Sequence, residues 1–373
     1  MTPSTLRATL VTDQQALAAL QADWEGLLAK TPRRSIFLEW EWATHWLTNF
    51  NLHPWIVTIR DAQGQLCGLA PWVRDRRGPL WQIRFIGSGL TQADHLDIIA
   101  HDTEQAAISA CLADFLSSTQ AAWDILVLDG LDGDSALPDA LHRRFGPGLQ
   151  RASTPCPYIP FAGINDWAHF QKTRLSSHMR SKGLRYLQNV LNRENPGQVF
   201  YERITEASQL GAALECLIEQ HQQRWSDKQT YTPFEDAQFL AFHRAFAQRA
   251  LDRGWLGLYR LRVGEQTIAT VYGFHHGNKF FDYQHALNND WSKFSPGRQL
   301  IAYIVEHCIT GGESEYDFLC GTEKYKYSWT TSERHDQNPV WARGWRGKLW
   351  LQALTLRDAL KRWRASRQTS ADA

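Results

Sequence analysis

One structural pattern runs twice along this chain, offset by about 200 residues, and an offset of that size means two related units rather than a solenoid of short repeats. The first pass opens with Arg7-Ala-Thr-Leu-Val-Thr-Asp13 and the second with Val199-Phe-Tyr-Glu-Arg-Ile-Thr-Glu206. Each pass predicts a helix closing on a tryptophan, at 16–24 and 209–225, then a second aromatic helix, at 37–50 and 234–249. Strand, turn and strand follow, with Gly64 and Gly264 in the turns. A third strand, a helix and a closing strand complete each pass, the last at Trp123–Leu126 and Tyr316–Leu319. The first pass then trails into a plain loop. The second continues Cys-Gly-Thr-Glu-Lys-Tyr-Lys-Tyr-Ser-Trp329, so the chemistry is expected in the second half.

The strands come mostly in meanders, 55–60, 66–74 and 80–86 in the first half. That favours an α/β fold of the α+β kind, with mixed, mostly antiparallel sheets flanked by helices, over a doubly wound nucleotide fold. Four stretches are expected: a first domain over 1–165, a linking basic helix over 166–197, a second domain over 198–345, and a C-terminal helix and tail over 346–373. The linking helix carries Lys172, Arg174, Arg180, Lys182, Arg185 and Arg193, and Asn195-Pro196-Gly197 ends it. In the last helix Leu349, Ala353, Leu356, Leu360 and Trp363 fall at helical spacing. That stripe is expected to pack on the protein body, with a peripheral membrane surface or a partner as the alternative.

Composition narrows the function. A net charge of +1 argues against a dedicated nucleic-acid surface, so no DNA partner is expected. The 17 tryptophans hint at a wide apolar cleft, for which Trp40, Trp42, Trp225 and Trp291 are the candidates by position. Six cysteines without C-x-x-C spacing read as reduced, buried thiols. With no signal-peptide pattern and no apolar run near the roughly 18 residues a membrane span needs, a cytoplasmic location is expected.

Two segments could carry chemistry. Ser295-Pro296-Gly297 after the strand 279–287 predicts a helix start with Ser295 as cap, where backbone N–H groups could hold a pyrophosphate and Arg298 and Gln299 could add contacts. The alternative there is an ordinary capped helix. In the segment 316–329, Asp317, Glu323, Lys324, Tyr325, Lys326 and Tyr327 offer a base, a charge clamp and a proton donor, unless they are only a solvated loop. Asp94, His95, Asp97, His101 and Asp102 match no standard zinc spacing; they read as polar cleft or interface residues, and no metal is expected.

These residues resemble the BioF2-like (CelD-type) acetyltransferases of the Gcn5-related N-acetyltransferase fold, kin to the FemAB aminoacyl transferases. The resemblance runs from about 6 to 343. It is carried by Asp317-Phe-Leu-Cys-Gly-Thr-Glu-Lys-Tyr-Lys-Tyr-Ser-Trp329, by His221-Gln-Gln-Arg224-Trp225, and by Asp94-His95-Leu-Asp97. It implies tandem acetyltransferase domains, the first non-catalytic, with acyl-CoA (acetyl-CoA foremost) as co-substrate in the second. The CoA pyrophosphate would lie at Ser295, Pro296, Gly297, Arg298 and Gln299, with Tyr283 beside it. Only Gly297 remains of that family's usual glycine loop. Lys326 matches the lysine near the transferring carbonyl, with Glu323 or Asp317 as base and Tyr325 as proton donor. His221, Arg224, Trp225 and Trp291 would contact the acceptor, an amine of a small molecule, amino sugar or polysaccharide precursor. A FemAB-like transferase using aminoacyl-tRNA, and a non-catalytic scaffold in a polysaccharide-producing assembly, are the alternatives.

Overall fold

The structure is a computed structural model that describes residues 6–31, 35–118, 122–226 and 232–371, with backbone only for 224–226 and 358–371. The first half supplies β1 (Arg7–Val11), β2 (Ile56–Arg60), β3 (Leu66–Ala70), β4 (Trp72–Arg77), β5 (Leu80–Phe85), β6 (Ile99–Ala100), β7 (Ile125–Val127), β8 (Leu149–Gln150) and β9 (Thr154–Pro160). The second supplies β10 (Val199–Arg203), β11 (Leu256–Val263), β12 (Gln266–His276), β13 (Lys279–Leu287), β14 (Glu315–Asp317), β15 (Glu333–Asp336) and β16 (Pro339–Ala342). Helices α1 (Gln14–Ala19), α2 (Gln21–Ala29), α3 (Trp40–Asn49), α4 (Gln105–Ser117) and α5 (Leu137–Phe145) flank the first sheets. Helices α6 (Trp167–Arg174) and α7 (Leu187–Glu194) follow, then α8 (Ala207–Ser226), α9 (Ala237–Asp252), α10 (Pro296–Thr310) and α11 (Gly344–Ala371).

The repeated pattern and the fold class are both present. Each half has antiparallel meanders and then one parallel step, β5 onto β7 and β13 onto β14. The halves differ at Pro71. Lacking an N–H, it divides the expected strand 66–74 into β3 and β4, and the first half splits into sheets β1-β2-β3-β6 and β4-β5-β7-β16-β8. The second half keeps one sheet, β10-β11-β12-β13-β14-β9-β15.

The strand orders also reveal an exchange. β9 precedes residue 166 yet pairs with β14, and β16 follows the whole second sheet yet pairs with β7. Each half therefore borrows its last strand from the far side of the other. The sheets do not part at the expected 165/166 boundary. One apolar core runs from Leu17 through Trp42 and Phe246 to Tyr283 and Trp341, joining both halves, and a second lies between α10 and the seven-stranded sheet. Charge reinforces the joint. Buried Glu41 on α3 accepts from Arg249 and Arg253 on and just after α9, and His276 Nε2 meets Glu39 Oε1 at 2.6 Å.

Two expected helices take other forms. The linking helix stops at Arg174, Leu175 is extended, and the Ser176 hydroxyl accepts from Met179 N to start a new π-helical turn, Met179–Tyr186, that runs into α7. In α11, Trp350 and Leu351 pack on the five-stranded sheet and Leu354 is buried, whereas Leu349 and Leu356 of the expected packing stripe are exposed together with Trp345. Leu360 and Trp363 lie outside the described side chains. No described helix is long and apolar enough to cross a membrane.

Candidate active site

The second sheet opens a gap for chemistry. β13 and β14 pair in parallel for only three residue pairs, Lys279 with Glu315 to Phe281 with Asp317. Beyond them β13 runs on to Leu287, while Leu319 turns the other strand aside with φ +55°, a left-handed conformation uncommon for leucine. Such strain gathers where surrounding structure needs a particular aim. A cleft of about 1030 Å³ lies beside this divergence, between the two halves. Asp94 and Asp129 line it from the first half; His221, Asp282, Tyr283, His285, Glu323, Tyr325 and Lys326 line it from the second.

Lys326 sits at the centre of the loop that leaves the gap. Its side chain is 5% exposed, and Nζ donates to Leu319 O at 3.3 Å, to Cys320 O at 3.0 Å and to Glu323 Oε2 at 3.0 Å. All three of its N–H donors are thus engaged. Two partners are fixed carbonyls; the third is a half-exposed carboxylate that can let go. Gly321 makes the arrangement possible. It has φ +144°, and a Cβ there would stand 2.2 Å from Glu323 Oε2 and 2.7 Å from Lys326 Nζ. Tyr325 is 38% exposed, with its ring 5.6 Å from that of His285.

Asp317, which the sequence offers as a base, lies in a buried ion-pair network. It is fully buried, 3.2 Å from His95 Nε2 and 2.5 Å from Arg334, and it accepts from Leu319 N. Burial alone would raise its pKa, but the charges of His95 and Arg334 and these hydrogen bonds outweigh burial and hold it well below the usual carboxylate range. Through Leu319 N it is tied to the backbone of the loop that leaves β14. His95 has the opposite balance. Burial pushes its pKa down, but Asp317 and Asp336 on either side raise it well above the ordinary value. Asp94, next in sequence, faces the cleft and accepts from Cys320 N at 2.9 Å. Burial first, then Asp336 and Asp317 against the opposing His95 charge and the Cys320 N–H, lifts its carboxyl to about 7. A carboxyl at that value can take a proton near neutral pH. In the sequence Asp94 reads only as cleft polarity, and its one signal is its place in the Asp94-His95-Leu-Asp97 phrase. Asp97 and His101 turn away, to Ser135 and Thr103.

The remaining candidates separate. His221 lines the cleft, bonded to Thr232 Oγ1 at 3.0 Å, with its ring tilted 38° to that of Phe234 at 4.3 Å. The side chains of Arg224 and Trp225 lie outside those described. Trp291 packs on Phe294 over the second core, away from the cleft. Trp42 is wholly buried among Phe242, Phe246 and Phe274, and Trp40 donates to Leu17 O, so neither lines it. The cleft mixes carboxylates with apolar surface such as Phe318 and Leu319, and the described candidate tryptophans do not line it.

Tyr283 and the segment 295–299 also part company. Tyr283 donates to Thr91 O at 2.6 Å in the shared core, while α10 packs on the second core. Ser295 is the N-cap of α10, as expected, but it has φ +50° and its side chain makes no capping hydrogen bond. Its carbonyl accepts from both Arg298 N and Gln299 N. Gln299 is spent on Tyr201 Oη and Phe294 O, and Leu287 fills the space beside Gly297. Gln299 borders a cavity of about 230 Å³ beside Tyr201, and Arg298 reaches a larger one. That cavity, about 500 Å³, is lined by Arg174, His178, Arg298, Tyr327 and the run Ser328 to Ser332. Residues 325–332 therefore form a wall, Tyr325 and Lys326 facing the cleft and Tyr327 to Ser332 the basic cavity.

The cysteines correct another expectation. Cys156 on β9 and Cys320 beyond β14 form a disulfide, while Cys67, Cys111, Cys216 and Cys308 are free.

Comparison with known proteins places this geometry. Residues 178–327 match the family described as Acetyltransferase (GNAT) domain. No curated protein matches. Among solved structures, that of FemX superposes with a TM-score of 0.60 at 12% identity, covering 89% of this chain and 96% of that one. A conserved protein of unknown function from Bacteroides thetaiotaomicron gives 0.57 at 12% identity over 90% and 100%. L-PGS from Bacillus licheniformis gives 0.51 at 10% identity over 90% and 95%. At such identities the likeness is one of fold.

Proposed function

We infer, for a chain of the GNAT superfamily with FemX-like architecture, that it is an N-acyltransferase moving an acyl group from acyl-CoA to an amine by direct attack. The observation that carries this reading is the wall 325–332, with Lys326 in it, between a basic cavity and an acid-rich cleft. The phosphates of the donor would lie with Arg174, His178 and Arg298, since Pro296, Gly297 and Gln299 are taken up in packing. The acceptor would enter the cleft, where Asp94, Asp129, Asp282, Glu323 and Asp336 outnumber Arg151 and Lys326. Such a cleft favours a cationic ammonium over a phosphorylated acceptor.

The chemistry then follows from the hydrogen bonds. Lys326 exchanges its exposed partner Glu323 for the donor carbonyl and stabilises the developing oxyanion. Glu323 or Asp94, both facing the cleft, takes the proton of the attacking ammonium, and Tyr325 protonates the leaving thiolate. Holding both substrates in line supplies much of the remaining acceleration.

A second reading, transfer from aminoacyl-tRNA, draws support from the fold shared with FemX and from the same basic cavity, which suits any phosphate-bearing donor. Thermal-shift titration with CoA, acetyl-CoA and longer acyl-CoAs separates the two. A ligand that binds only the folded state raises Tm. A rise lost in Arg298→Ala and Arg174→Ala supports the acyl-CoA reading. No rise with any CoA, alongside transfer from charged tRNA, replaces it with the second.

A further inference from the structure

We propose that, when the Cys156–Cys320 disulfide is reduced, both sulfurs together with His95 and Asp336 form a tetrahedral zinc site. The four donors come from four separate segments that meet beside the cleft: β9, the loop after β14, the loop before β6, and β15. His95, Cys156 and Asp336 bring ligand atoms within 4.8 Å of one another, and so do Asp94, Cys320 and Asp336. Cys320 Sγ stands 3.5 Å from Asp336 Oδ2, and His95 Nδ1 stands 2.9 Å from Asp336 Oδ1. Two thiolates, an imidazole and a carboxylate form a set suited to Zn²⁺, and Zn–S bonds near 2.3 Å hold two sulfurs roughly 3.8 Å apart. Parting the two sulfurs by that much opens the centre of the cluster.

The surroundings are those of a metal-bound histidine. With Nδ1 on the metal, Nε2 lies 3.2 Å from Asp317 Oδ2. Asp317 is itself held by Arg334 and Leu319 N. A carboxylate behind a ligating imidazole fixes its tautomer and raises its basicity. This gives buried Asp317 a task that proton transfer to substrate does not. The redox step balances: a dithiol reductant gives two electrons and two protons to the S–S bond and closes to its own disulfide. Zinc then displaces the two thiol protons. Because Cys320 O accepts from Lys326 Nζ, the metal would anchor the loop that carries Lys326.

Cobalt substitution of the full chain tests this directly. Chain reduced with a dithiol, freed of reductant anaerobically and titrated with Co²⁺ should develop a thiolate-to-cobalt charge-transfer band and the intense visible bands of a tetrahedral ion. Zinc should bleach both, with about one zinc retained per chain. Oxidised protein should take up none. Cys320→Ser and Cys156→Ser should lose the charge-transfer intensity in steps, and Asp336→Asn should weaken retention, while His101→Ala should match the wild type. The wild-type spectrum needs no variant to fold. Reduced, folded wild type without a charge-transfer band overturns the proposal, as does equal cobalt binding by the doubly substituted Cys156→Ser, Cys320→Ser chain.

Discussion

Gly321→Ala is the substitution whose effect the geometry fixes most closely. A methyl there would sit 2.2 Å from Glu323 Oε2, 2.9 Å from Glu323 Cδ and 2.7 Å from Lys326 Nζ. No real Cβ tolerates such contacts, so the two side-chain ends must move and their 3.0 Å ion pair must break. The backbone adds a second cost, because φ of +144° is essentially a glycine conformation, worth about 1–3 kcal/mol for any other residue. Chemical denaturation should therefore show a loss in that range. Transfer should fall further than stability, by roughly 100-fold, since a displacement of about 1 Å at a reacting group costs that much. A double-mutant cycle divides the two costs. In a Glu323→Ala background the 2.2 Å contact is gone, and the penalty of Gly321→Ala should shrink by about 1 kcal/mol while the backbone part stays. An equal penalty in both backgrounds, with transfer untouched, would refute the reasoning.

Other consequences can be checked the same way. Because β9 and β16 are exchanged, the full chain should unfold in one transition by calorimetry, and a chain ending at residue 165 should be unfolded by circular dichroism; two separate transitions would contradict the exchange. Burial lowers the pKa of His243 to about 3, so the unfolded chain binds the extra proton between that value and about 6.5. Its contribution is fully present above pH 6.5 and is lost as pH falls, about 2 kcal/mol by pH 5, and His243→Gln should flatten that part of the stability profile. Replacing Glu41 with Gln removes the charge facing Arg249 and Arg253 across the joint and should cost about 1–3 kcal/mol in denaturant titration, discounted because both arginines are one-third exposed.

The fold was legible because the repeat and the meanders are local patterns. Period-two apolar runs around turns at Gly64 and Gly264 give antiparallel strands whatever lies far away. The exchange of β9 and β16 was not legible, because nothing within Thr154–Pro160 records which sheet it joins. Lys326, Glu323 and Tyr325, which line the cleft, stand in one dense phrase of the sequence. Their neighbour Asp317 is an acid in the same phrase, yet its partners His95 and Arg334 come from elsewhere in the chain and hold it in a buried network that the phrase does not record. Tryptophan count misled, since flat rings serve a core as well as a groove, and Trp42 went to the core. Ser295-Pro296-Gly297 did begin a helix, but Leu287, Tyr201 and Phe294 had already engaged the residues expected to face a phosphate.

The most direct test of the central claim is a transfer assay followed by mass spectrometry. Acyl-CoA is offered with a panel of primary amines to wild type and to Lys326→Ala, each verified as folded. The wall reading predicts N-acylated product with wild type and a rate lowered by about 100- to 1,000-fold in the variant, the loss expected for one oxyanion donor. Equal rates in the two proteins would contradict it.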